Sequence, residues 1–218
     1  RSPVDKLVID NGRVLGLRLR PGKDSQPGGK EDKTFLPANA VVVATGGSSY
    51  PATGSTGDGY RFAEQAGHTV APIRPGLVPL EIEGDLAPRL QGLSLRNVRL
   101  TVGFEGQKKQ SRFGELLFTH FGISGPIGLT LSGYAVDGLR QGRAVSCSID
   151  LKPALDEKKL DARLVRDFEE HGRQKLKNVL SGLLPAKLIP VCLELTGLSG
   201  DKQVNQVSSE ERTKLRCW

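Results

Sequence analysis

The spacing of apolar and polar residues predicts a hairpin at the start of the chain. Val4 to Ile9 and Arg13 to Arg20 are strand-like runs, and Asn11-Gly12 lies between them. Both turn residues tolerate positive φ, so this dipeptide favours a tight hairpin. Residues 21–33 are polar and rich in Gly and Pro, which predicts a loop.

A different pattern follows at residues 40–44, where Ala-Val-Val-Val-Ala is uninterrupted and β-branched at its centre. Such a run predicts a strand that is buried on both faces of a parallel sheet. It stops at Thr45-Gly46-Gly47, and the pattern then predicts a helix from about Gly57 to Ala66, with Gly67 as its stop.

The residue pattern changes at 72–79, where closely spaced prolines predict a linker into a second domain. Strand-like runs occupy residues 77–82, 93–104, 115–118 and 143–151, and a glycine-rich turn at 122–126 precedes a predicted helix to about Gly138. Together these favour a small β-barrel or folded sheet. From residue 156 the apolar spacing is helical, and Ser208 marks a further helix start.

These patterns predict three regions and a mixed fold class, α/β plus α+β. Residues 1–74 form the hairpin, buried strand and helix, residues 75–152 a β-barrel-like subdomain, and residues 153–218 a helical subdomain. The chain has 218 residues and contains no Met, so we expect a piece of a longer protein.

Composition narrows the classes of function. The net charge is +7, but the basic residues are interleaved with acidic ones, which favours a solvated surface over a nucleic-acid tract. No apolar run approaches the ~18 residues of a membrane helix. Three scattered cysteines without a C-x-x-C motif indicate no metal site and fit a reducing cytoplasm.

Candidate chemistry concentrates in residues 41–67. A buried strand delivers its carboxyl end to the ligand crevice of a doubly wound sheet. Gly46 and Gly47 let a bulky ligand approach the backbone. Residues 55–59, Ser-Thr-Gly-Asp-Gly, then open a helix whose N–H groups favour a phosphate or another electron-rich group.

Taken together, the hairpin, the Ala-Thr-Gly-Gly strand end and the Thr-Gly-Asp-Gly helix start resemble the FAD proteins of the glutathione-reductase type. Three longer motifs narrow the resemblance: residues 46–59, Pro75-Gly76-Leu77-Val78-Pro79-Leu80, and Gly114 to Pro126 with its Phe-Thr-His-Phe-Gly core. These motifs are similar to bacterial NAD(P)/FAD-dependent oxidoreductases of the aminoacetone-oxidase-like and 3-dehydro-bile-acid-reductase-like kind. The similarity spans roughly residues 1–155.

The resemblance implies that residues 1–74 are the edge of a FAD-binding domain and that the rest is inserted into it. It implies FAD as cofactor in the full-length parent, with NAD(P)H as a co-substrate. The implied cofactor contacts are Ala44, Thr45, Gly46, Gly47, Ser49, Tyr50, Gly57, Asp58 and Gly59. The family's G-x-G-x-x-G fingerprint is missing from this sequence, so we expect this chain alone to be inactive and to bind FAD weakly.

Three residues keep two interpretations each. His120, before a glycine-rich turn, is either a catalytic proton donor facing the flavin or a structural histidine bonded to backbone. Asp58 either contacts the cofactor or caps the helix beside it. Tyr50 either stacks near a flavin or packs under Pro51.

Two functions therefore remain open. The first is a cytoplasmic flavin oxidoreductase acting on a small organic substrate, without a nucleic-acid or membrane partner and of unknown oligomeric state. The alternative is a basic β-barrel module that binds nucleic acid without catalysis, suggested by Arg89, Arg96, Arg99, Lys108, Lys109 and Arg112. Few aromatic residues of that stretch look exposed for base stacking, which counts against the module.

Overall fold

The computed structural model describes residues 3–20 and 34–218 and has a mixed α/β architecture. The chain divides into two compact units, Arg1–Ile73 and Arg74–Trp218. The predicted loop at 21–33 lies outside the described residues. Compactness alone does not define a domain, so the domain limits at 74/75 and 152/153 stay predictions.

The first unit contains a three-stranded antiparallel sheet and one helix. Its strands are β1 (Val4–Asp10), β2 (Arg13–Leu19) and β3 (Phe35–Pro37), in the order β1-β2-β3. Asn11 and Gly12 have φ of 45° and 75°, so the hairpin forms at the predicted turn. Helix α1 (Asp58–Gln65) also forms as predicted.

The predicted buried strand at residues 40–44 is wrong. These residues adopt no strand in the structure, and the side chain of Val42 is 90% exposed. A strand becomes central only where neighbouring strands pair with both of its edges. Among the described residues of this unit, the sheet ends at β3 and no strand lies beside residues 40–44.

The second unit contains a curled, five-stranded antiparallel sheet of order β4-β7-β6-β5-β8. Because β4 and β8 remain edges, the sheet is a half-barrel rather than a closed barrel. Its strands are β4 (Leu80–Glu81), β5 (Ser94–Phe104), β6 (Gln110–Phe118), β7 (Gly122–Ser124) and β8 (Val145–Asp150). Strand β7 occupies what the sequence predicted to be a turn.

Helices pack against this sheet and form the end of the chain. They are α2 (Leu86–Leu90), α3 (Pro126–Arg140), α4 (Glu157–Glu170), α5 (Leu176–Val179), α6 (Leu188–Thr196) and α7 (Ser209–Cys217). Single 3₁₀ turns lie at Pro51–Thr53, Leu180–Gly182 and Val204–Gln206.

Two hydrophobic clusters form the core of the second unit. One lies between the sheet and α3, with Leu100 and Leu131 at its centre, and the other lies among α4, α5 and α7. Helix α6 serves both, because Leu188 and Val191 belong to the first cluster and Ile189 and Cys192 to the second. The sheet and helical parts of this unit therefore share α6 as a common wall between their two cores.

Candidate functional site

The segment from Ala44 to Tyr50 is an irregular loop that presents its backbone to solvent. Among the described residues, no N–H group from residue 40 to residue 50 donates a hydrogen bond to the protein. Gly46 has φ of 72°, a conformation that glycine adopts without strain. Five of the predicted contact residues, Ala44, Thr45, Gly46, Ser49 and Tyr50, are exposed. The loop therefore offers donors to an external group.

The first residues of helix α1 hold the helix against this loop. Gly57 is the N-cap, with φ of 80°, and its N–H donates to the carbonyl of Gly47 at 3.0 Å. A Cβ on Gly59 would lie 2.6 Å from Oγ1 of Thr45, so only glycine lets the helix approach this closely. The structure thus brings the two predicted halves of the site, residues 44–50 and 57–59, together.

Asp58 stands at the first position of α1 and contributes no side-chain cap, so its interpretation as the helix cap is wrong. Its carboxylate accepts hydrogen bonds from Nη2 of Arg61 at 3.0 Å and from Oγ1 of Thr56 at 2.9 Å. These bonds, led by that from Arg61, lower the pKa of Asp58 below its ordinary value. Asp58 is therefore a fixed anion rather than a proton donor at neutral pH.

Arg61 connects β1 with the start of α1. The sequence did not predict this role. Its Nη1 donates to the backbone carbonyl of Asp5 on β1, and its guanidinium lies 4.6 Å from the centroid of the Phe62 ring. It therefore ties the first strand to α1 while orienting Asp58. An i, i+3 spacing from Asp58 is the sequence signal that would have found it.

A cleft of about 330 Å³ opens beside these residues. A space of that size suits part of a dinucleotide and not the whole of one. Its lining residues are Pro3, Val4, Arg20, Thr45, Thr56, Asp58 and Phe62. The unpaired N–H groups of the loop and the Gly59 approach fit a cofactor edge that would run along residues 44–47.

Tyr50 lies at the outer end of the loop, and its side chain is 71% exposed. Its carbonyl accepts hydrogen bonds from the N–H groups of Thr53 and Ser55, which closes the 3₁₀ turn after it. The exposed ring is not buried under Pro51, so the packing interpretation is wrong, and a stacking role stays a prediction.

His120 lies in the second unit, at the tip of the tight turn between β6 and β7. The residue is exposed, and its ring contacts Phe121 edge-on, with centroids 4.8 Å apart. Among the described residues, the His120 side chain forms no hydrogen bond, so the backbone-bonded interpretation is not supported. Its role as a proton donor stays a prediction.

Thr119, which the sequence did not single out, holds that turn. Its N–H donates to the carbonyl of Gly122 at 2.8 Å, and its Oγ1 accepts from the N–H of Gly122 at 3.1 Å. A Cβ on Gly122 would lie 1.8 Å from the carbonyl oxygen of Leu80, so β4 also fixes the turn from the other side. His120 and Phe121 are therefore presented on a rigid base.

No group of three or more His, Cys, Asp or Glu side chains is placed to hold a metal ion within residues 3–20 and 34–218. Over the same described residues, every helix is too short or too polar to cross a membrane.

Comparison with known proteins identifies the second unit. A family model described as the HI0933-like protein barrel and H2TH domain matches residues 74–217. The chain belongs to the HI0933-like family. The open sheet and the helices after it fit the barrel and helical parts that this description names. As a member of the HI0933-like family, the chain matches curated relatives over about four fifths of its length.

One relative is a 3-dehydro-bile acid delta(4,6)-reductase of Clostridium scindens, 28% identical over 183 residues, which cover 83% of this chain and 44% of that protein. Others are ribosomal RNA dihydrouridine synthases. That of Escherichia coli is 36% identical over 176 residues, 80% of this chain and 41% of that protein. That of Haemophilus influenzae is 34% identical over 168 residues, 77% and 39% respectively.

The chain thus spans less than half the length of the curated relatives it matches. The reductase and the HI0933-like family together support a relationship to flavin oxidoreductases at the level of the superfamily. They do not distinguish among its subfamilies.

Proposed function

We propose that the complete gene product is a FAD-dependent reductase that saturates a carbon–carbon double bond conjugated to a carbonyl group. NAD(P)H would supply the electrons, and the protein would work in the cytoplasm as part of the aminoacetone-oxidase-like and bile-acid-reductase-like subfamily. Residues 44–50 and 57–59 would hold one edge of the FAD, and the second unit would meet the substrate.

The chemistry shared by the relatives' names supports this reaction class. A 3-dehydro bile acid with 4,6 double bonds carries a carbonyl conjugated to those bonds. Uridine carries a ring double bond conjugated to a carbonyl, and dihydrouridine lacks it. Both names therefore describe a conjugated alkene gaining or having gained two hydrogens, although one substrate is a small molecule and the other an RNA.

The observation that carries the proposal is the loop at residues 44–50. It combines unpaired N–H groups, glycine at positive φ and a helix start pressed against it. Such a set of donors next to a helix N-terminus favours an electron-rich ligand. When bound, a reduced flavin supplies a hydride, which is one proton with two electrons.

Residues of the chain itself would supply the proton that completes the reduction. The carbon next to the substrate carbonyl must receive one proton to complete the reduction, and His120 is an exposed histidine on a rigid turn. An imidazolium group can donate that proton. The negative Asp58 would stay ionised, so it would face a hydroxyl group of the FAD rather than a phosphate.

The experiment is to purify the complete gene product, record its visible spectrum and identify any flavin released on denaturation. Anaerobic oxidation of NADH and NADPH is then followed with a conjugated enone and with uridine-containing RNA as acceptors. We expect a yellow protein that releases FAD and reduces at least one acceptor.

A colourless protein that releases no flavin would overturn the proposal. Flavin without reduction of either acceptor would leave the cofactor in place and reject the reaction class. A colourless protein that still binds nucleic acid would support the alternative, a binding module without catalysis.

A further inference from the structure

The outer face of β5 and β6 carries an exposed aromatic ring in a row with a cation. Arg99 on β5 pairs in register with Phe113 on β6, so both side chains lie on the same face of the sheet. The residues on either side of Arg99 along β5, Val98 and Leu100, are buried, which places Arg99 on the solvent face. The Phe113 side chain is 58% exposed.

The next row on this face is polar and ordered. Oγ1 of Thr101 and Oγ of Ser111 form a hydrogen bond of 2.8 Å across the two strands. Ser148 on β8 pairs in register with Thr101 and adds a third hydroxyl to the row. A lone exposed phenyl ring beside hydroxyls and a guanidinium is not an apolar packing surface.

The hairpin also carries excess positive charge. Residues 94–118 contain five basic residues against two acidic ones, a net charge of +3. Lys108 and Lys109 are exposed and lie at the tip. Nη1 of Arg143 bonds the carbonyl of Glu105 and adds a further cation at that end.

Two contacts fix the tip of the hairpin between β5 and β6. The hydroxyl of Tyr134 on α3 donates to the carbonyl of Lys108 at 2.7 Å. The aliphatic part of Lys109 lies over Gly103, where a Cβ would come within 2.8 Å of it. The cations therefore project from a fixed backbone, which lowers the entropy lost when they bind a ligand.

We propose that this face, defined by Arg99, Lys108, Lys109 and Phe113 and called here the hairpin face, binds single-stranded RNA. Lys108 and Lys109 contact phosphates, and a base stacks on Phe113 beside Arg99. Single-stranded nucleic acid is bound by this combination of a cationic track and an aromatic platform. In the sequence, few aromatic residues of this stretch looked exposed, which counted against a nucleic-acid partner. The exposed ring of Phe113 supplies such a residue.

The inference rests on the proposed function, because it selects RNA from the two substrate classes that share the conjugated alkene. It also assigns to the RNA a surface of the second unit, made of other residues than the loop at residues 44–50. The hairpin face would hold nucleotides that flank the reacting base, and it takes no part in the reduction itself.

The test uses the complete gene product and a short fluorescently labelled single-stranded RNA that contains uridine. Fluorescence anisotropy is measured over a series of salt concentrations. We expect Phe113→Ala to weaken binding about 10-fold at every salt concentration, because one stacked base is lost. We expect Lys108→Ala with Lys109→Ala to reduce the slope of log K against log salt by ~1.4, as two phosphate contacts disappear.

The matched control is Lys158→Ala with Lys159→Ala on α4, which removes the same charge from an exposed surface that has no aromatic platform. We expect the control to bind RNA as the parent does. Phe113→Trp should restore binding, and a thermal melt shows whether each variant is folded.

The proposal is rejected if the parent binds no RNA, if Phe113→Ala binds as the parent does, or if the control pair weakens binding as much as the hairpin pair. Flavin content and enone reduction are measured in the same preparations. If these are intact while RNA binding ignores the hairpin face, only this inference fails. If the parent holds no flavin, the proposed function fails separately.

Discussion

At the scale of single residues, the turn between β6 and β7 carries two side chains with different roles. His120 is the candidate proton donor, and Thr119 fixes the shape of the turn. His120 is exposed and has a ring contact with Phe121, whereas Thr119 makes the hydrogen bonds that define the turn. The two positions therefore should respond differently to substitution.

We expect His120→Ala in the complete gene product to slow reduction by ~10²-fold without changing flavin content, because a proton donor is lost. Thr119→Val should slow reduction by less, since the proton donor remains and only its position relaxes, and Thr119→Ser should recover most of the rate. The measurement is the anaerobic turnover of each variant.

His171→Ala is the control, since His171 ends helix α4 at a distance in sequence from the turn. Equal turnover of His120→Ala and the parent would return His120 to a surface residue. An equal loss for Thr119→Ser and Thr119→Val would show that the hydroxyl does not act through the turn.

At the scale of elements, α7 illustrates how local sequence defines a helix start. Ser208 and Glu211 form a reciprocal capping box, in which Oγ of Ser208 accepts from the N–H of Glu211 at 3.2 Å. The carboxylate of Glu211 accepts from the N–H of Ser208 at 2.8 Å and from Nζ of Lys202 at 2.7 Å. The pKa of Glu211 is lowered, first by the Lys202 bond and then by the Ser208 bond.

A lowered pKa makes this stabilisation dependent on pH. Glu211 is charged more readily in the folded state, so its contribution is present above the unfolded pKa and disappears as the pH falls through the folded one. We expect Glu211→Gln to reduce the free energy of unfolding by about 1 kcal/mol at pH 7, the usual scale of a cap. The reduction should shrink towards zero in acid.

Urea denaturation at several pH values measures this difference. Glu210→Gln, at the exposed neighbouring position, is the control and should change the free energy little and equally at all pH values. A Glu211→Gln difference that grows as the pH falls would contradict the assignment.

Elements were predictable where a local signal suffices. Asn11-Gly12 predicts the first hairpin, and Ser208 with Glu211 predicts α7, because turns and caps depend on a few adjacent residues. Helix α2 was missed because five residues, with Pro88 among them, give no helical period. Strand β7 was missed because Gly122 is typical of turns, and its need for glycine comes from the distant Leu80.

The candidate site shows the same division. The predicted site at residues 44–50 and 57–59 rests on a local signal, a glycine-rich segment before a helix, and on the family resemblance. It did not reveal the Arg61 contact with Asp5, which joins residues 56 positions apart, or the exposure of Phe113, which depends on strand register. The error at residues 40–44 arose because apolar composition predicts burial only where other strands complete the sheet.

At the scale of the whole second unit, α6 joins the sheet part to the helical part. Its Val191 is 3% exposed in the sheet cluster, and its Cys192 is 1% exposed in the helical cluster. Leu184 and Trp218 pack against both clusters. A polar contact adds to this wall, because Arg89 on α2 forms hydrogen bonds with both carboxylate oxygens of Glu194 on α6.

We therefore expect Val191→Ala to destabilise both parts together, by about 2 kcal/mol, because it opens a cavity in a wall that they share. Hydrogen exchange measured by mass spectrometry on the complete gene product should show β5 and α4 peptides exchanging faster by the same factor. Leu195→Ala on the same helix is the control, since that side chain is 62% exposed.

Faster exchange in β5 alone would mean that residues 75–152 and 153–218 open independently, as two separate subdomains would. Faster exchange in both would mean that the helical region is a structural part of the sheet's core.

The exposed valines at residues 42 and 43 have a consequence for how the polypeptide behaves before its sheet is complete. Val42 is 90% and Val43 44% exposed, and the backbone groups beside them are unpaired within the described residues. A β-branched segment with free N–H and C=O groups is a template for pairing with the same segment of another molecule. Solubility of this polypeptide therefore depends on how quickly that segment is covered during synthesis, and charged residues placed next to it would act as gatekeepers against aggregation.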